Sequence, residues 1–227
     1  MGIEFTKGFK VYHQLPKINV WLLGDSTVFA MTSSLRTEFS GQYNVQFNAV
    51  RMGTTYSGDL LTGSSAPDVV FFFTNSSEYG ATTMSGNLRK FVNNGKGLIT
   101  GTFAWNVNNA NFDKKLTPYT DINQGNITVS TYNKMISHPI TDGVTTTLGS
   151  TTWLINSLTT ASLNPGAENV ANYTNSNIPL IGTWTSGSNN ARLVAINMFL
   201  GSNYLTNPST TPRKLLARSI LWAAKQI

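Results

Sequence analysis

The chain has 227 residues, 40% of them hydrophobic, a net charge of +6 and no cysteine, so it can bury one core without a disulfide or structural metal. The missing thiols exclude cysteine nucleophiles, redox pairs and Cys-type zinc sites, and two histidines, His13 and His138, exclude imidazole clusters, so neither metal nor cofactor is expected. Only 11% of residues are charged and the basic ones are scattered apart from Arg213, Lys214 and Arg218, a pattern that predicts a solvated helix face and no specific nucleic-acid surface.

Residues 1 to 16 precede the first strand pattern as an N-terminal arm, and residues 17 to 227 read as a single domain. The arm holds Phe5, Phe9 and Tyr12 at three- and four-residue spacing. That spacing fits a helical docking face, whereas Phe9 and Val11 fit strand addition equally well, either to a protein partner or back onto the arm's own domain. No basic head followed by an apolar stretch and a small-residue cleavage site is present, so no secretory signal is expected, although a mature secreted form would look the same.

Lys17 to Gly24 is a continuous apolar run ended by glycine, as in a buried parallel strand. Asp25, Ser26 and Thr27 supply caps for a helix to about Phe39 with Phe29, Leu35 and Phe39 on its apolar face. Tyr43 to Val50 predicts a second strand, Gly53 to Ala66 a loop or weak helix, and Val69 to Phe73 a third, fully buried strand. That third run, with Phe71 to Phe73, is the longest strongly apolar one. It is far shorter than the span of about 20 helical residues that a bilayer requires, so no membrane partner is expected.

Asn75, Ser76 and Ser77 open another loop. Met84 to Asn94 then places Met84, Leu88, Phe91 and Val92 on one helical face, and Gly95, Lys96 and Gly97 end it before a strand over Leu98 to Thr102. Strand and helix alternate through this half, which predicts right-handed crossovers and a doubly wound, mostly parallel flavodoxin-like α/β sheet with helices on both faces. Beyond Trp105 the helical period disappears. Ile127 to Thr131, Thr151 to Ile155, Ile178 to Thr185 and Arg192 to Asn197 are strand candidates, antiparallel or mixed, decorating the sheet edge. Pro212 starts a closing helix with Leu215, Leu216, Ile220, Leu221 and Ala224 buried.

The segments 67 to 77 (PDVVFFFTNSS), 88 to 105 (LRKFVNNGKGLITGTFAW), 137 to 144 (SHPITDGV), 178 to 201 and 215 to 223 follow one another in an order that resembles the class I glutamine amidotransferase-like superfamily, most closely its trehalose-utilisation-like branch. The resemblance implies a nucleophile turn after the strand that ends near Thr102, where the family presents a cysteine activated by a later histidine. Phe103 stands at that position and can neither attack a carbonyl nor carry a proton. His138, before Pro139, resembles a structural segment and not the catalytic base. The resemblance therefore implies an inactive member, a pseudoenzyme.

Gly24-Asp25-Ser26 also resembles the nucleophile block of SGNH-type esterases. The oxyanion block Gly-x-Asn-Asp and the late Asp-x-x-His are missing, and no histidine follows position 138. A capped glycine turn is the structural alternative. Asp25, Ser26, Asn75 and Trp105 would still line a ligand crevice at the carboxyl ends of the strands. Trp105, Trp153 and Trp184 are able to stack on sugars or to fill a core. Asn75, Asn126 and Asn172 match the glycosylation acceptor pattern, which an Asn-rich and Thr-rich chain produces by chance.

Three functions remain. Thr, Asn and Ser make up about a third of the chain, well above the usual share. With the missing nucleophile and the arm, this composition favours a non-catalytic assembly or decoration subunit of a virus or phage particle, located in the virion and held by protein partners. A carbohydrate-binding or carbohydrate-processing protein is the alternative, implied by the trehalose-utilisation-like resemblance. An esterase using Ser26 is the third.

Overall fold

The computed structural model of the chain describes residues 15–24, 28–39, 41–51, 61, 63–73, 81–102, 104, 112–119, 123–157, 162–200 and 210–227. These form a mixed α/β fold around one nine-stranded sheet. In chain order the elements are β1 (Lys17–Gly24), α1 (Val28–Phe39), β2 (Asn44–Arg51), β3 (Val69–Phe72), α2 (Ala81–Asn93) and β4 (Gly97–Gly101). There follow β5 (Asn123–Lys134), β6 (Thr147–Ser157), β7 (Glu168–Tyr173), β8 (Pro179–Thr185), β9 (Arg192–Ile196) and α3 (Thr211–Ala223).

The sheet order is β2-β1-β3-β4-β9-β8-β7-β5-β6. Strands β2, β1, β3, β4 and β9 run parallel, and β8, β7, β5 and β6 continue the sheet by antiparallel pairing. The alternation of side chains along a strand divides the core in two. Val20 and Leu22 of β1, Phe71 of β3, Ile99 of β4 and Val194 of β9 join one apolar cluster with Met31 and Leu35 of α1 and Leu216 and Ile220 of α3. Leu23, Val70, Leu98 and Leu193, from the same strands, join a second with Met84, Leu88 and Phe91 of α2.

The parallel half matches the expected boundaries to within a few residues; Phe71, Phe73 and Leu221 are buried as expected, and Ile99 of β4 is buried with them. Four details differ. Phe29 is 54% exposed, because the buried stripe of α1 is Val28, Met31, Leu35 and Phe39, one helical face that excludes position 29. Arg213 and Arg218 are not simply solvated: Arg213 pairs with Glu38 at 2.5 Å, tying α3 to α1, and Arg218 Nε donates to Pro139 O at 2.7 Å. Strand β7 carries Asn169 and Asn172 and gave no β-rich signal. Strand β9, expected at the decorated edge, is central and parallel to β4, because Leu193 to Ile196 are buried between β4 and β8.

The ends of the helices are fixed by side chains from distant segments. The β8–β9 turn reaches the C-terminus of α2, where Asn189 Nδ2 donates to Val92 O (3.2 Å) and Asn93 O (2.7 Å), satisfying carbonyls that the helix leaves open. Arg192 Nη1 donates to Trp222 O (2.8 Å) and Ile227 O (2.7 Å), and its guanidinium lies 4.9 Å from the Trp222 ring centroid.

Candidate functional site

The chain runs from β1 to β2 on one side of the sheet and then crosses to β3 on the other side of β1. The carboxyl ends of β1 and β3 therefore border the point where the winding reverses, the place at which open α/β sheets bind ligands. The described residues of this edge are Gly24, Phe73, Gly101 and Thr102, together with Asn197 to Phe199 after β9.

Aromatic packing fills the floor. Phe73 stacks on Phe71 with centroids 5.1 Å apart and meets Phe199 edge-on at 6.3 Å. The glycines that end β1 and β4 give this ring its place. A Cβ on Gly24 would sit 2.8 Å from Phe73 Cε1, and one on Gly101 would sit 2.8 Å from Phe73 Cβ. Phe73 N donates to Leu23 O at 3.0 Å. The floor is thus apolar and closely packed, and polar chemistry at this edge has to come from the segments that follow the strands.

Thr102 is the exception, a 1% exposed residue whose Oγ1 has no hydrogen-bond partner among the described residues. Asn197 is fully buried and committed to the fold: its Nδ2 donates to Pro179 O at 2.8 Å and its carbonyl accepts from Tyr173 Oη at 2.6 Å.

The residues expected to form the crevice, Asp25, Ser26, Asn75 and Trp105, lie outside the described residues, as do Phe103, expected at the nucleophile position, and the arm residues Phe5, Phe9 and Tyr12. In the chain, Asp25 and Ser26 directly follow the last residue of β1, Asn75 comes three residues after β3, and Phe103 and Trp105 come two and four residues after β4. Trp153 is a core residue at 1% exposure, whereas Trp184 is half-buried. Asn172 is 4% exposed, which closes it to glycosylation in the folded chain. Among the described residues no three carboxylates or histidines gather as a metal site, and no helix is long and apolar enough to cross a membrane.

His138 sits elsewhere. It packs on Trp222 at 5.1 Å, near the end of α3 that meets the amino-terminal residue of β4, the edge opposite the carboxyl ends of the parallel strands. Its Nδ1 accepts from Ile140 N at 3.2 Å, and its carbonyl accepts from Thr141 N and Asp142 N. Burial, assisted by the Arg192 guanidinium, pushes the imidazole down from 6.5 to about 4. The folded chain holds the ring neutral where the unfolded chain protonates it. The stabilisation from this group is therefore complete above about pH 6.5 and is lost toward pH 4, at up to about 1.4 kcal/mol per pH unit. His138→Asn keeps an acceptor for Ile140 N and removes the titration, so its urea midpoint is expected to fall less than that of the parent between pH 7 and 4.5. Parallel falls in the two proteins would show that His138 is not the group responsible.

No known protein family and no curated protein matches the sequence. Solved structures do match in fold. A ThuA-like protein from Parabacteroides merdae superposes with a TM-score of 0.53 at 15% identity, over 92% of this chain and 90% of that one. The glutaminase domain of Trypanosoma brucei CTPS gives a TM-score of 0.52 at 10% identity, over 92% and 95%. Agd3, a carbohydrate deacetylase, gives 0.53 at 9% identity, over 94% of this chain but only 33% of its own. The fold is that of the ThuA-like and glutamine amidotransferase-like proteins.

Proposed function

We propose that the chain binds carbohydrate at the carboxyl-end crevice and does not carry out amidotransferase chemistry. The observation that supports this reading best is the likeness to a ThuA-like protein over nearly the whole of both chains. The carbohydrate deacetylase among the similar structures and the trehalose-utilisation-like segments of the sequence point the same way. The virus or phage assembly role expected from composition finds no support in these comparisons. The absence of cysteine, with phenylalanine at position 103, removes the amidotransferase nucleophile. The neutral His138 is occupied in a turn at the other edge of the sheet, so it supplies no base there. Asp25, Ser26 and Asn75 offer hydrogen bonds to hydroxyl groups and Trp105 an aromatic face, a mixture suited to a sugar.

Calorimetric titration of the full chain with trehalose and a panel of neutral oligosaccharides tests the proposal. Saturable binding is expected, weakened about tenfold or more by Trp105→Ala, the loss of one anchoring contact of the kind that dominates small interfaces. Glutamine and acyl esters are expected to remain intact above background, with or without Ser26→Ala. No binding across the panel would refute the carbohydrate reading, and ester hydrolysis abolished by Ser26→Ala would replace it with an esterase.

A further inference from the structure

A cleft opens between the C-terminal half of α2, the 3-10 turn Lys114–Leu116 and the start of the β8–β9 turn. Its volume is about 320 Å³, at the lower end of the roughly 300–1,000 Å³ of small-molecule sites. Leu193, at the beginning of β9, lines it, so the cleft lies toward the amino ends of the parallel strands and away from the crevice.

The cleft has an apolar side and a polar side. Leu116, Val92 and Leu193 are buried beneath it, and the half-buried Trp184 forms a wall. The nitrogen edge of that indole lies beside Gly166, where an added Cβ would sit 3.6 Å from Nε1. Asp113 and Arg89, joined as an ion pair, line the cleft as well, together with Lys115, Asn93 and Ser186. Asp113 is largely committed: one carboxylate oxygen meets Arg89, and the other accepts from Lys115 N at 3.0 Å. Two cations face a single carboxylate that is already engaged. Arg89, 54% exposed in its side chain, keeps donors to spare, and the ammonium of the exposed Lys115 enters no ion pair among the described residues.

The walls are held before any ligand arrives. Asp113 N donates to Ser85 Oγ at 3.0 Å, fixing the turn to α2. Asn164 Nδ2 donates to Lys114 O (3.0 Å) and Thr117 O (2.8 Å), and Asn189 holds the end of α2 to the β8–β9 turn. Backbone walls fixed in this way spend little binding energy on ordering the segments that carry the site.

The geometry points to a binding site for an acidic pyranose, a sugar ring carrying a carboxylate. The apolar C–H face of the ring lies against Trp184, Asn93 and Ser186 meet hydroxyl groups, and the carboxylate is held by Lys115 and the free donors of Arg89. This site is separate from the crevice and stands on its own lining.

Calorimetry on the full chain at neutral pH, with D-glucuronate, its uncharged methyl ester and D-glucose as probes, tests it. Glucuronate is expected to bind saturably. The methyl ester and glucose are expected to bind about tenfold or more weaker, as is glucuronate to Lys115→Gln, the loss associated with a hydrogen bond to a charged group. Trp184→Ala is expected to abolish binding with the chain still folded, and Trp105→Ala to leave it unchanged. Because Lys115 is exposed, Lys115→Gln gives an answer even if Trp184→Ala unfolds. Absence of glucuronate binding, equal affinity for the methyl ester, or loss in Trp105→Ala with retention in Trp184→Ala would each overturn the assignment. Trehalose binding in the same variants tests the carboxyl-end crevice separately.

Discussion

Phe71→Ala is expected to lower the unfolding free energy by about 3–5 kcal/mol, through lost burial and a cavity that neighbours cannot fill. Phe71 lies in β3, between β1 and β4, in register with Leu22 on one side and Ile99 on the other. It is fully buried, and its ring stacks on Phe73. A Cβ added at Gly101 would come within 3.2 Å of Phe71 Cε2, so the ring is enclosed at the carboxyl end of the strand as well. Closing the void would require two parallel strands to move together, and each is hydrogen-bonded along its length to a further neighbour. Native domains have only about 5–15 kcal/mol to lose, so the variant is expected to be marginal at ambient temperature. Urea unfolding monitored by circular dichroism measures the effect. Phe29→Ala is the control, expected to stay within about 0.5 kcal/mol of the parent because residue 29 points to solvent. Comparable losses at the two positions would mean that the faces of β3 and α1 have been assigned wrongly.

The contrast between Phe71 and Phe29 also marks how far the sequence could be read. The parallel half was legible because its strands are buried on both faces and appear as unbroken apolar runs. The helix at Met84, Leu88, Phe91 and Val92 has a strong period ended by Gly95, whose positive φ of 76° suits glycine. In α1 the spacing of Phe29, Leu35 and Phe39 pointed to a helix but chose the wrong partner at one position, since Val28 and Met31 complete the same stripe equally well. Strand β7 was not legible. Its Asn172 accepts from Asn169 Nδ2 at 2.8 Å, a pairing that helps the strand hold two amides which, in the sequence, read as a loop. The central place of β9 was likewise hidden, because order along a sheet depends on long-range pairing that no local window contains. The docking of Arg213 on Glu38 spans 175 positions and is invisible for the same reason. The amino-end cleft left one sequence trace, the aromatic Trp184; its partners Arg89, Asp113 and Lys115 are ordinary charged residues until the fold gathers them.

The second large effect is expected at Gly97, the first residue of β4. A Cβ there would fall 2.5 Å from Ala223 O and 2.8 Å from the Ala223 carbonyl carbon and Cβ. The obstacle is backbone on both sides, so no side-chain rotation relieves it. Gly97 N donates to Asp68 O at 3.0 Å, which pins the strand, while Arg192 holds Trp222 O and Ile227 O and Lys225 Nζ holds Gly95 O at 3.1 Å, which pins the end of α3. Separating the two by the distance a methyl group needs would break several of these bonds together. Gly97→Ala is therefore expected to cost about 3 kcal/mol or more, at or beyond the upper end of ordinary overpacking. Gly86→Ala supplies the opposite case. Gly86 is an exposed residue inside α2 with nothing within 4 Å of an added Cβ, and alanine there is expected to stabilise by about 0.5–1 kcal/mol because it restricts the unfolded chain. Thermal and urea unfolding of the two variants should shift in opposite directions. A Gly97→Ala protein as stable as its parent would mean that β4 and α3 do not pack as closely as their backbones indicate.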